Sequence, residues 1–206
     1  MDWGSVLGII IAALIAIGLP LALRRRKKTG PQKGEELCQH LKEMGVKAYI
    51  VEAGGEQEKI GLKRSSGEKS MGVVELKGRN IDFINIIGVS SQYGTNYFID
   101  YLVKTPNIIE NRTLKKTSLI KKKSSPLRGK VVAIEWKGDE SLAQSLNFDY
   151  SLQDRLLGSN LKDSRGSIWI FPEPKHGYAR IRTAYTLPST EAFEAINTIA
   201  KHVKSW

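Results

Sequence analysis

Glu173, His176 and Tyr178 lie close together in the chain, and Arg180 and Arg182 follow at alternate positions. A carboxylate, an imidazole and a phenol at this spacing could do acid–base chemistry, with His176 moving the proton near neutral pH. No nucleophile or metal motif accompanies them. The plainer reading is therefore a Pro/Gly hairpin loop with polar residues at its tip and two arginines on one strand face.

A second set of residues is defined by charge. Residues 112–130 hold Arg112, Lys115, Lys116, Lys121, Lys122, Lys123, Arg128 and Lys130 and no acidic residue. Unless solvated, eight uncompensated cations call for an anion: a lipid headgroup, an acidic partner or nucleic acid. Near anionic lipid each contributes about 1 kcal/mol. Few aromatics interleave with them, so base stacking has little support and nucleic acid ranks low.

Residues 24–28, Arg-Arg-Arg-Lys-Lys, form the other basic cluster. With the two clusters set aside, nineteen basic residues face 21 acidic ones, so the net charge of +11 does not describe a generally basic surface. The 24–28 cluster follows an uncharged run, residues 3–23, which as a helix would span about 30 Å, the thickness of a bilayer's hydrocarbon core. Charge after the apolar run rather than before it, and the run's length, favour an uncleaved anchor over a signal peptide. The positive-inside rule then puts the N-terminus outside and the remainder in the cytoplasm. Gly4, Gly8, Ala12 and Ala16 recur every fourth residue, a pattern that lets a second helix approach closely, as in a homodimer or with another membrane protein. Small residues are also common in any such helix.

Other chemistries find no support. Phosphate-binding, dinucleotide-binding, zinc-protease, nucleophile-elbow and calcium-loop motifs are all missing from the sequence, so no cofactor or metal is expected. Cys38 is the single cysteine and falls on the apolar side of an expected helix. His40, His176 and His202 are far apart, with no metal-ligand spacing around them. In this topology the tripeptide Asn111-Arg112-Thr113 faces the cytoplasm and stays unglycosylated.

The elements that must position these groups follow from periodicity. Residues 29–34 read as a linker and Glu35–Met44 as a helix. Strands are expected at Val46–Glu52, Lys59–Arg64, Met71–Lys77, Phe83–Ser90 and Tyr97–Lys104, the last two joined by a loop at 92–96. Residues 105–129 read as an exposed polybasic loop. Beyond it come a strand at Lys130–Trp136, helices at Glu140–Leu146 and Tyr150–Leu157, strands at Ser167–Phe171 and Tyr178–Tyr185, and a last helix capped by Ser189 or Thr190. Trp136 and Trp169 read as core residues, and Asn85 as marking the outer face of its strand.

The expectation is an α+β protein: a transmembrane anchor at 1–28, then a domain at 35–206 of mostly antiparallel strands with flanking helices. That domain is one unit, or two halves (35–104 and 130–206) joined by the loop. The function expected is a non-enzymatic, single-pass interaction or assembly module whose polybasic loop meets anionic lipid or an acidic partner. The alternatives are a membrane-bound enzyme using Glu173, His176 and Tyr178, and a tethered nucleic-acid adaptor.

Overall fold

The computed structural model describes residues 30–62, 67–105, 108, 114–125, 129–161 and 167–205. The expected membrane span, its basic collar and the Gly4, Gly8, Ala12, Ala16 stripe lie outside the described residues. Among those described, no helix is long and apolar enough to cross a membrane.

The fold is α+β, with four α-helices and one eight-stranded sheet among the described residues. Helix α1 (Gly30–Glu43) leads into β1 (Lys47–Val51), a 3-10 turn at Glu56–Lys59, and the meander β2 (Glu68–Lys77), β3 (Phe83–Ser91) and β4 (Gly94–Lys104). Then come β5 (Thr117–Lys123), β6 (Val131–Lys137), α2 (Glu140–Asn147) and α3 (Tyr150–Gly158). The chain continues with β7 (Trp169–Glu173), a 3-10 turn at Pro174–His176, β8 (Tyr178–Ala184) and α4 (Thr190–Lys204). The strand order is β1-β2-β3-β4-β8-β7-β5-β6, and every pairing is antiparallel. The two halves thus share one sheet, joined where β4 pairs with β8.

All four helices cover one face. Side chains alternate along a strand, so Ile84 and Ile86 of β3, Ile99 and Tyr101 of β4, and Ile181 of β8 point to that side. They meet Leu37 and Leu41 of α1 and Phe193, Ile196 and Ile199 of α4 in a single core. Helix α4 starts where the Ser189 hydroxyl accepts from the Ala192 amide at 3.2 Å, satisfying one of the amides that a helix start leaves free. Each of its fully buried Phe, Ile and Val side chains contributes about 1.5–3 kcal/mol by leaving water.

Several boundaries depart from the sequence reading. Gly30–Gly34, expected as linker, is the first turn of α1; a proline is tolerated there because first-turn amides have no helical partner. Residues 59–62 form no strand, because Gly61 at φ +69° turns the chain, with Ile60 buried beside it. The β3–β4 loop is tighter than expected: Ser91 already pairs with Gly94. The polybasic stretch is not a single loop either. Thr117–Lys123 is strand β5, whose Leu119 is buried in the core, with Lys121 on the same side and Lys122 on the opposite one.

Candidate functional site

The face of the sheet away from the helices carries polar and aromatic groups in register. One row crosses all eight strands: Val51, Val73, Asn85, Asp100, Arg182, Trp169, Ser118 and Lys137 are successive partners. At its centre Arg182 grips Asp100 with two bonds, Nε to Oδ1 at 2.7 Å and Nη2 to Oδ2 at 2.9 Å, and its third nitrogen reaches Glu68 at 2.9 Å. Arg180 binds Asp100 at 3.2 Å and places Nε and Nη2 at 3.1 and 3.0 Å from Oε1 of Glu173. Burial opposes the charge on Arg182, yet Asp100 and Glu68 together push its pKa upward. Arg180 stacks on Phe171 at 4.4 Å, Arg182 on Phe98 at 5.4 Å, and Lys116 sits over Phe171 and Trp169 at 5.0 and 5.4 Å. Trp169 is therefore a half-buried platform under a lysine and not a core residue, whereas Trp136 is in the core as expected.

This network is roofed over. Asn85 faces away from the helix core, as its strand position implies, but it is fully buried. Its Nδ2 donates to the carbonyls of Gln57 and Glu58, both at 3.3 Å, and its Oδ1 accepts from Ser70 at 2.7 Å. The 3-10 turn at Glu56–Lys59 is thereby held down onto the sheet. Gly61 completes the closure: a Cβ there would stand 2.3 Å from Arg180 Nε and 2.8 Å from Glu173 Oε1. Only a residue without a side chain fits.

The Glu173, His176 and Tyr178 group is thus divided. Glu173 is spent on Arg180. His176 and Tyr178 line a pocket of about 300 Å³ with Lys175 and, from the roof, Glu56, Gln57, Lys59 and Ile60. Burial, with Asp82 nearby, pushes the Tyr178 phenol above its ordinary value, so it remains a neutral donor at physiological pH. Its ring meets Phe83 edge-on at 6.5 Å.

The polybasic residues are dispersed by the strand that carries them. Lys121 donates to the Leu161 carbonyl at 2.7 Å on one side of β5, and Lys122 pairs with Glu135 at 2.9 Å on the other. Lys123 and Lys130 are exposed on either side of the β5–β6 turn, where the Ser124 amide bonds the Lys130 carbonyl. Lys115 lies at the opposite end of β5, near Lys137, Asp139 and Glu140. Arg112 and Arg128 lie outside the described residues.

Sequence spacing gave no sign of a third cluster. Ser145 Oγ lies 2.6 Å from His202 Nδ1, and His202 Nε2 lies 2.9 Å from Asp149 Oδ2, across separations of 57 and 53 residues. A carboxylate accepts, so Nε2 carries the proton, and in the neutral ring Nδ1 accepts from the Ser145 hydroxyl. This hydroxyl–imidazole–carboxylate order could pass a proton. Asp149, however, also caps α3 by accepting from the Leu152 amide at 2.9 Å, and Ser145 sits inside α2, so the chain ties the last turn of α4 to two other helices. Of the other histidines, His40 bonds the Pro188 carbonyl at 2.7 Å. Cys38 is buried, which raises its thiol pKa and leaves it inert. No group of three or more metal-ligating side chains gathers among the described residues. Comparison of the chain with known protein families, curated proteins and solved structures yields no match.

Proposed function

We propose that this chain is a single-pass membrane-tethered interaction module without catalytic activity, anchored by residues 3–23 with its α+β domain on the cytoplasmic side. Its β5–β6 hairpin presses on anionic lipid. The observation that carries the reading is the make-up of that hairpin. Lys122, Lys123 and Lys130 are exposed near its turn, and Ile120 and Val132 are 40% and 58% exposed beside them. Cations flanking exposed apolar side chains suit a headgroup layer, where each charge near the surface adds about 1 kcal/mol.

The sheet supports this geometry. Helix α1, which follows the expected anchor, packs over β1 to β3, whereas the hairpin lies at the far edge. Strands are spaced about 4.8 Å apart, so roughly 34 Å separates β1 from β6. The start of α1, where the expected anchor joins, lies over the middle of the sheet, with Lys33 packed on Tyr97 and Tyr185, so about half that width separates the tether from the hairpin and both can meet one membrane. Along the outer edge of β6 the Asn147 side chain bonds both the amide and the carbonyl of Trp136, at 2.8 and 3.0 Å. That contact blocks strand addition at this point and leaves the hairpin's side chains as the contact surface.

The test is tryptic cleavage of the full chain in lipid nanodiscs. Cuts at Lys122, Lys123 and Lys130 should slow several-fold in phosphatidylserine discs relative to phosphatidylcholine discs, and high salt should abolish the difference. Equal cleavage in both discs would remove the lipid contact. Protease shielding of the domain inside sealed, correctly oriented vesicles would reverse the orientation.

A further inference from the structure

We infer that the pocket between the two 3-10 turns is a binding site for a small phosphate monoester. This assignment is independent of the lipid contact made by the hairpin. Its volume of about 300 Å³ lies at the lower end of the range for small-molecule sites. Lys59 comes from one turn, Lys175 and His176 from the other, and Tyr178 from the start of β8. Glu56 is the single carboxylate of the lining, and neighbouring Glu173 is already bound by Arg180. Two ammonium groups, an imidazole and a phenol offer more donors than a monoanionic carboxylate can use. A phosphate monoester has three terminal oxygens and a charge near −2, and so matches them. Ile60 and the Tyr178 ring supply apolar wall for the organic part of the ester.

Both walls are fixed from beneath. Asn85 holds the carbonyls of Gln57 and Glu58, and Gly61 is seated against the Arg180–Glu173 pair. On the other wall Gly177 adopts φ +66°, its amide bonds the Pro174 carbonyl, and its carbonyl accepts from the Thr105 amide at 2.9 Å. A buried ionic network contributes little net stability compared with apolar packing. Here it holds two cation-bearing turns facing one another, so a ligand would find donors already in place.

The experiment is calorimetric titration of the full chain in maltoside micelles with phenyl phosphate. Saturable binding is expected, with affinity at least about tenfold weaker in the Lys59→Ala/Lys175→Ala variant, the loss of a charge-assisted contact. Both lysines are exposed, so the variant keeps the fold, to be checked by its melting temperature. The Lys122→Gln/Lys123→Gln variant should bind phenyl phosphate like the unaltered chain, whatever the hairpin does on lipid. Repeating the titration in nanodiscs with phosphatidic acid separates the two sources of the group: competition assigns the site to a lipid headgroup, its absence to a soluble ester. No saturation up to about 10 mM, or equal affinity in the Lys59/Lys175 variant, overturns the assignment.

Discussion

Asp100 and Arg182 form a two-point ion pair at 2.7 and 2.9 Å between β4 and β8, on the seam where the two halves of the sheet meet. Asp100 is fully buried and Arg182 nearly so, so neither can fall back on water. Breaking such a pair from one side leaves a buried charge without its partner.

Asp100→Ala should therefore lower stability by about 3–5 kcal/mol, read from urea unfolding. The double replacement Asp100→Leu/Arg182→Met, which removes both charges of the pair, should recover part of it. If the single and double variants lose the same amount, the pair is not what the seam depends on.

Gly61 and Gly78 separate backbone strain from crowding. Both have positive φ, +69° and +71°, but a Cβ on Gly78 meets nothing within 4 Å. Gly78→Ala should cost about 1–2 kcal/mol, the left-handed penalty alone. Gly61→Ala adds a collision with the Arg180 guanidinium, which is locked by three bonds and cannot swing aside. It should cost measurably more in melting temperature and speed proteolysis within 52–62.

Stability should fall in acid through Asp149. The His202 hydrogen bond, aided by the Leu152 amide and opposed by burial, holds the Asp149 carboxyl below its ordinary range. A carboxyl depressed on folding stabilises above its unfolded pKa of about 4, and that contribution is lost as pH drops through the lower folded value. Asp149→Asn keeps the helix cap but not the charge. It should lower stability modestly at neutral pH, because solvent screens this partly exposed pair, and the deficit should shrink as pH falls below the unfolded carboxyl value of about 4. A deficit constant across that window would mean that the charge is irrelevant.

Period and turn chemistry made much of the fold legible. Phe193, Ile196, Ile199 and Val203 mark the inner face of α4, and all four are buried. The alternation around Asn85 correctly turned it from the helices. What alternation cannot report is that a segment nearly thirty residues earlier folds back to cover it, because Ile60 and Gly61 look like part of a strand until Arg180 is beneath them. Likewise Lys121, Lys122 and Lys123 read as a solvated run because composition outweighed the buried anchor Leu119. His202, Ser145 and Asp149 carry no local signature, since helix packing alone brings them together.

The place of β8 in the sheet bears on how the chain folds during synthesis. β1 to β4 can assemble as a meander as soon as they emerge. β5, β6 and β7 cannot join that meander until β8, the last strand to be made, lies between β4 and β7 and brings Arg180 and Arg182 with it. Until then Asp100 has neither arginine partner, and β4 presents an open edge. The half-made protein thus exposes that edge, and leaves Asp100 unpaired by arginine, for the time needed to translate about eighty residues.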